Sequence, residues 1–248
     1  MKTILLACLL ALPSAAAAFD RSELTEFNDL YKNDRYEEAL EGYSKITAQE
    51  PSNPWAWYNA GNAQFRLNRM GPAVFSYARA FKLNPRDPNI RFNLEYALRQ
   101  TGQTLVPENV PKALYHAYYL LSEGEIKALA ICLFWVACLA GAAGFLLDGA
   151  RSGVNAARLS LFSGLLCFAL LAWFGARTHS SFANAGVVTN PGGTKLLSGP
   201  GVNFKTYASA PEGKMVKLLD STDDDYYEIG LPKEGIKGWV LKKEVEKI

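Results

Sequence analysis

The stretch "PSNPWAWYNAGNAQF" (residues 51–65) has a near copy in "PRDPNIRFNLEYAL" (residues 85–98). Each copy begins with Pro-x-x-Pro and then carries an aromatic residue followed by asparagine. Pro51, Pro54 and Asn59 each recur 34 positions later. A period of this length indicates a repeat architecture, in which stacked copies bury apolar faces that one copy alone leaves exposed.

Each copy also carries a helix start. Asn53 and Asp87 are capping residues, and each is followed by a proline at the first helical position. Small and aromatic residues at packing spacing predict a second helix in the copy that ends near Pro85. The period and these residues together resemble the tetratricopeptide repeat. The resemblance implies helix-turn-helix units over residues 19–111, with a third copy that keeps only its first helix.

In the tetratricopeptide family the first helices line a concave groove for a protein or peptide segment. Asn28 and Asn62 match the asparagine with which many such repeats hold a ligand backbone, and Leu24 and Tyr58 replace a lysine used for carboxylate capture. The resemblance therefore favours an aromatic groove for an extended segment. The alternative is that the aromatic side chains belong partly to the core. The predicted groove residues are Asn28, Tyr31, Lys32, Tyr58, Asn62, Arg66, Phe92, Tyr96 and Arg99.

Two segments are apolar enough to cross a bilayer, which takes about 20 apolar residues. The sequence predicts transmembrane helices at 126–147 and 159–177, joined by a cytoplasmic loop at 148–158. Buried core helices are the alternative, but little else in the chain is available to cover them. Small residues predict close packing of the pair through Ala137, Gly141 and Gly144 on one helix and Ser160, Gly164 and Cys167 on the other.

The first 18 residues have one lysine, an apolar run and a small-residue end. This order is typical of a secretory signal peptide, and lipidation at Cys8 is a less favoured reading. With two later spans, both soluble regions are expected on the exported side of a bacterial inner membrane. Residues 112–125 form an interfacial or capping helix, and the sequence leaves open whether its tyrosines face lipid headgroups or the repeats.

From residue 185 to 248 the pattern changes to short runs of β-forming residues between turns, which predicts a small all-β domain. "SGPG" (198–201) and "GWV" (238–240) resemble the bacterial SH3-like domain. The fold class is therefore multi-domain: an all-α repeat array, a two-helix transmembrane hairpin and a small SH3-like barrel. Tyr226, Tyr227 and Trp239 could form a binding face on this barrel, and the alternative is that Trp239 and one tyrosine fill its core.

Composition disfavours several functions. Three of the four cysteines lie in the apolar segments and the fourth lies in the leader, so no disulfide framework is expected. No nucleophile with a base, phosphate loop, metal cluster or basic stripe is evident, and we expect no enzyme activity, no cofactor, no metal and no nucleic-acid partner. A binding protein remains, either a scaffold that acts through its repeats or a sensor of cell-wall peptide or glycan that acts through its SH3-like domain.

The order of leader, repeats, span, loop, span and SH3-like domain, with "RFNLEYAL" at 91–98, resembles the BatE-like family of the bacterial Bat aerotolerance group. That resemblance implies work beside von Willebrand A-type membrane proteins and a MoxR-type ATPase in envelope stress tolerance or assembly.

Overall fold

The computed structural model describes residues 21–146, 151–178 and 184–248. The predicted signal peptide and residues 147–150 of the predicted loop lie outside the described residues. The described part contains a helical repeat region, a pair of long apolar helices and an antiparallel sheet, so the predicted fold class is confirmed.

The repeat region consists of α1 (Arg21–Lys32), α2 (Tyr36–Gln49), α3 (Pro54–Arg66), α4 (Met70–Leu83) and α5 (Pro88–Gln100). The predicted caps form as expected. Asn53 accepts hydrogen bonds from the backbone N–H groups of residues 55 and 56, and Asp87 accepts from those of residues 89 and 90. Asp34 and Asn68 both adopt a φ of 59° in the turns that follow α1 and α3, so the turns repeat as well.

Helix α6 (Lys112–Tyr118) packs against the repeats. Tyr115 and Tyr119 are buried, and the Tyr119 ring lies 5.6 Å from that of Phe81 on α4. Between the two readings that the sequence left open, the structure favours packing against the repeat array. The ring of Tyr118, the third tyrosine of this segment, has its centre 6.5 Å from that of the Trp173 ring.

Helices α7 (Glu123–Leu146) and α8 (Arg151–Thr178) form an antiparallel pair. Ser122 and Glu125 make the reciprocal hydrogen bonds of a capping box at 2.8 and 3.2 Å, and α7 therefore begins slightly before the predicted span. Helix α8 begins at Arg151, so most of the segment predicted as a loop is helical. Packing extends into this segment, because Gly144 lies close to the backbone of Gly153 and Ala157.

The contact between α7 and α8 is formed partly by the predicted small residues. The Ser160 hydroxyl donates to the carbonyl of Ala137 at 2.8 Å, and Cys167 Sγ lies 3.3 Å from the carbonyl of Ala130. A Cβ atom at Gly164 would meet nothing within 4 Å, so α7 approaches Gly164 less closely than predicted, although Gly164 shares a shallow groove with Phe134 and Ala137 of α7. The inner face of α8 follows Ser160, which is half-buried, and then Ser163 and Cys167, which are buried, because positions three and four apart share a helix face.

The C-terminal part forms one seven-stranded antiparallel sheet in the order β3-β2-β6-β5-β4-β1-β7. Its strands are β1 (Ala185–Val188), β2 (Thr194–Leu197), β3 (Thr206–Ala210), β4 (Met215–Asp220), β5 (Tyr226–Leu231), β6 (Ile236–Leu241) and β7 (Val245–Lys247), with a 3-10 turn at Lys242–Glu244. Strands β3 and β7 had no sequence signal. Both are edge strands, one rich in small exposed residues and the other only three residues long.

The sheet packs directly on the repeats. Ala185, Val187 and Ile248 belong to the same apolar cluster as the buried residues of α4 and α5. Glu212 accepts a hydrogen bond of 2.7 Å from the N–H of Gly71 in the first turn of α4, where the helix dipole favours a carboxylate. The repeats and the sheet therefore share one core.

Candidate functional site

Two asparagines hold neighbouring helices of the repeats together. Asn28 Oδ1 accepts hydrogen bonds from the Tyr43 hydroxyl at 2.8 Å and from Asn59 Nδ2 at 2.9 Å. In the next repeat, Asn62 Oδ1 accepts from Tyr77 and from Asn93, both at 2.8 Å. The whole set recurs at the 34-residue period, so these asparagines have a structural role in addition to any role in binding.

This arrangement leaves the donor side of each predicted asparagine available. The side-chain oxygens of Asn28 and Asn62 already accept hydrogen bonds from the protein. Within residues 21–146, 151–178 and 184–248, no acceptor is found for the Nδ2 group of either residue. An amide N–H group donates to carbonyl oxygens, and every residue of an extended peptide offers one. The site can therefore hold a backbone through the partner's C=O groups.

Burial extends to higher pH the range over which the tyrosines of this network remain protonated donors. Loss of solvation raises the pKa of Tyr43 and of Tyr77, and it also raises the pKa of Tyr31. Since the hydroxyls stay protonated, Tyr43 and Tyr77 continue to donate to Asn28 and Asn62. The acceptor oxygens of the asparagines are consequently fixed, and with them the direction in which each Nδ2 points.

An aromatic cavity of about 320 Å³ opens beside Asn62. The Phe92 and Tyr96 rings stack with centroids 6.4 Å apart, and Phe65 meets Tyr96 edge-on at 5.7 Å. Phe92 is 61% exposed and Tyr96 is 41% exposed, which is unusual for rings of this size. The cavity is lined by Tyr31, Asn62, Phe65, Tyr77, Phe92, Asn93 and Tyr96.

The predicted cationic residues lie on exposed positions with acidic partners. Lys32 Nζ lies 2.8 Å from Asp29, and the Arg99 guanidinium lies 3.9 Å from Glu95. Arg66 lies 3.5 Å from Asp34 and covers the ring of Tyr36. These three side chains therefore add little net positive charge to the predicted groove.

Four of the predicted groove residues, Tyr31, Asn62, Phe92 and Tyr96, line the cavity together. Tyr58 is connected to it by a hydrogen bond of 3.2 Å from Asn93, whereas Asn28, Lys32, Arg66 and Arg99 are not among its lining residues. Sequence reasoning did not assign site roles to Tyr43, Asn59, Tyr77 and Asn93. The 34-residue recurrence of Asn59 and Tyr43 was a signal that could have found them.

The predicted face of the β domain is divided between two sides of the sheet. Strands β5 and β6 pair Glu228 with Trp239, so Trp239 and Tyr226 share one face. Tyr227 points to the other face, where it packs against the interior of the domain and lies beneath Lys242 Nζ at 5.1 Å. Tyr226 is itself buried, which leaves Trp239 as the more accessible of the two rings.

The acidic run at residues 223–225 forms a turn. Asp223 Oδ1 accepts hydrogen bonds from the N–H groups of Asp225 and Tyr226 at 3.0 and 2.8 Å. In the part of the chain that the structure describes, no three His, Cys, Asp or Glu side chains lie close enough to hold a metal ion.

Comparison with known families supports the repeat assignment. No curated protein matches the chain. The TPR repeat family model matches residues 28–68, which run from the first groove asparagine to the turn after α3. The helical region of this chain therefore contains tetratricopeptide repeats, and its groove asparagines Asn28 and Asn62 both lie inside the matched segment.

Proposed function

We propose that the protein is a membrane-anchored scaffold that binds an extended segment of a partner protein in the groove of its repeats. The observation that carries the proposal is the juxtaposition of the free amide donor of Asn62 with exposed aromatic rings, together with the equivalent donor of Asn28 one repeat earlier. Asn28 and Asn62 offer Nδ2 groups to backbone carbonyls, and Phe92 and Tyr96 offer apolar surface to side chains. Backbone hydrogen bonds supply affinity, and pockets for alternate side chains supply specificity.

Membrane anchoring is supported by the exposure of α7 and α8. The most apolar 18-residue stretches of the two helices have mean hydropathies of 2.3 and 2.0, and only 11% of each stretch is buried. A core helix of a soluble protein would be covered by the rest of the chain. Rings such as Phe134, Trp135 and Phe168 are instead more than half exposed, and lipid would remove this surface from water.

A common location of the repeats and the β domain is supported by the contacts between them. Gln103 Nε2 donates to the carbonyl of Gly213 at 2.8 Å, and Gln103 Oε1 accepts from the N–H of Met215 at 2.9 Å. Two domains that share a core lie on one side of any membrane that α7 and α8 cross. With the signal-peptide pattern of residues 1–18, we assign both to the periplasmic side of a bacterial inner membrane.

The partner class follows from the resemblance to the Bat aerotolerance group. Domain order and "RFNLEYAL" at 91–98 support work beside Bat-type von Willebrand A proteins in envelope stress tolerance or assembly. A cell-wall sensor is the second candidate, because Trp239 is partly exposed on the same sheet face as Tyr226. This candidate places recognition of a wall peptide or glycan in the SH3-like domain.

The test uses a photocrosslinker in the groove of the full chain. p-Benzoylphenylalanine replaces Phe92, whose ring is exposed, and native membranes are irradiated before the crosslinked partner is identified by mass spectrometry. Asn62→Asp then removes the donor but keeps an acceptor for Tyr77 and Asn93. Loss of one hydrogen bond at a desolvated interface costs about 1–3 kcal/mol, so crosslink yield at limiting partner should fall roughly tenfold.

The matched control is Asn68→Asp. Asn68 has the same φ as Asp34 of the preceding repeat and lies outside the cavity, so aspartate already occupies the equivalent position. This variant adds the same charge and should leave the yield unchanged. Equal yields in both variants, with folding intact, would overturn the groove. A crosslinker at Trp239 that captures wall fragments would then favour the sensor.

A further inference from the structure

A second and larger cavity, of about 500 Å³, lies where the repeats meet the β domain. One wall is formed by the end of α5 and the segment after it, including Leu98 and Leu105. The opposite wall is formed by Met215 and Val216 of β4, and the turn after β5 closes one side. A volume of this size is in the range of small-molecule sites.

The polar groups inside this cavity already have partners. The side-chain amide of Gln103 donates to a backbone carbonyl in the turn before β4 and accepts from a backbone N–H of β4. Lys214 Nζ lies 2.6 Å from the carboxylate of Glu234. A peptide placed here would leave its own N–H and C=O groups without hydrogen bonds, which is costly away from water. A hydrocarbon chain needs no such partners and suits the walls.

Two lysines at the rim differ from these satisfied groups. Lys217 and Lys233 line the cavity and are exposed. Within the described residues, 21–146, 151–178 and 184–248, neither has a carboxylate within ion-pair distance, although eight other lysine or arginine side chains with exposures near or above one half do. The opening therefore combines an apolar interior with an unneutralised positive rim.

The geometry points to a binding site for a single-chain anionic amphiphile, a long-chain fatty carboxylate. The tail lies against Leu98, Leu105 and Met215, and the carboxylate lies at Lys217 and Lys233. The bilayer that α7 and α8 would cross is the source of such molecules. This site is separate from the groove of the repeats, and the inference does not depend on partner binding there.

The experiment uses the full chain in phosphatidylcholine nanodiscs and dodecanoic acid that carries a diazirine near its methyl end. After irradiation and digestion, adducts are located by mass spectrometry. We expect adducts in the peptides that contain residues 98–107 and 214–217. Dodecanoate should compete with the probe, whereas dodecanol should compete much less because it lacks the charge.

Two variants sharpen the result. Lys217→Gln with Lys233→Gln should lower cavity labelling about three- to tenfold, as expected for two exposed ion pairs. Thr104→Trp fills the opening from an exposed position and should abolish labelling. The matched control is Lys195→Gln with Lys243→Gln, two exposed lysines of the β domain outside the cavity, which should label like the parent.

Two outcomes overturn the inference. Adducts confined to α7 and α8 would show that the probe resides only in the bilayer. Cavity adducts that persist in the Lys217 and Lys233 variant and are competed equally by dodecanol would exclude an anionic ligand. Limited proteolysis of each variant checks that the repeats and the β domain remain docked, so that a folding defect is recognised as such.

Discussion

The first and second repeats differ at one helix contact, where Phe27 of α1 and Gly61 of α3 are equivalent positions 34 residues apart. In the first repeat Phe27 of α1 packs onto Gly42 of α2, where a Cβ atom would overlap its ring. In the second repeat the glycine is Gly61 of α3, and Tyr77 of α4 fills the space, 2.7 Å from where a Cβ would be. Tyr43 and Tyr77 are equivalent and buried in both repeats, so the first repeat holds an additional ring at Phe27, and Gly42 makes room for it.

The second helices of the two repeats, α2 and α4, also differ in how much of each is buried. Helix α2 has five buried residues, whereas α4, of equal length, has nine, because the β domain and α6 cover its outer face. The hydrogen bonds that Asn28 and Asn62 accept nevertheless recur in both repeats, and the second repeat adds one from Asn93 to Tyr58. The repeats therefore keep the hydrogen bonds between neighbouring helices and diverge on the face where other elements pack.

The largest expected effect tests this difference in burial. Phe81 is 1% exposed in the core shared by α4, α6 and the sheet, and Thr47 is its equivalent 34 residues earlier. Phe81→Ala should lower the free energy of unfolding by about 3–5 kcal/mol. Thr47→Ala should cost less than about 1 kcal/mol. Urea unfolding of the full chain in detergent, followed by tryptophan fluorescence, compares the two, and equal losses would contradict the unequal burial of the repeats.

An intermediate effect tests the two glycine contacts. Gly42→Ala and Gly61→Ala should each cost about 1–3 kcal/mol, because the added methyl group overlaps an aromatic ring. Phe27→Leu should restore part of the loss in Gly42→Ala and none of the loss in Gly61→Ala. Thermal unfolding of the singles and doubles measures this coupling. A rescue of Gly61→Ala by Phe27→Leu would show that the pairs were wrongly assigned.

The smallest effect is expected for the cationic residues of the predicted groove in the repeats. Lys32 and Arg66 are equivalent positions with exposed acidic partners, and such pairs contribute about 0.2–1 kcal/mol. Lys32→Ala should therefore change stability little. Arg66→Ala should cost slightly more, because its guanidinium lies 4.6 Å from the centre of the Tyr36 ring. A loss for Lys32→Ala as large as that for Gly42→Ala would contradict a role limited to the surface.

Much of the architecture was predictable because its signals are local. Caps at Asn53 and Asp87, the prolines after them and the 34-residue period depend on neighbours in sequence, and each was found in the expected place. The two apolar helices were equally predictable, since length and composition suffice. The weak points were β3 and β7, where short or small-residue edge strands lack the alternation that identifies a strand.

The groove was predictable only in part. The family pattern pointed to Asn28 and Asn62 as binding residues, but it could not indicate that their oxygens are already used by Tyr43, Asn59, Tyr77 and Asn93. Such pairings join residues 15 and 31 positions apart, so they depend on how helices pack rather than on any one helix. The neutralisation of Arg66 by Asp34, across two repeats, has the same origin.

The sequence by itself determined the repeat period, the helix starts, the apolar helices and the change to β structure, because each is written in short-range pattern and composition. Only the tertiary structure decided that the β domain packs on α4 and α5, that Gln103 joins the two, and that a cavity with Lys217 and Lys233 at its rim lies between them. These contacts join residues more than 100 positions apart. No local preference encodes such a contact, since its free energy comes from burying two complementary surfaces together.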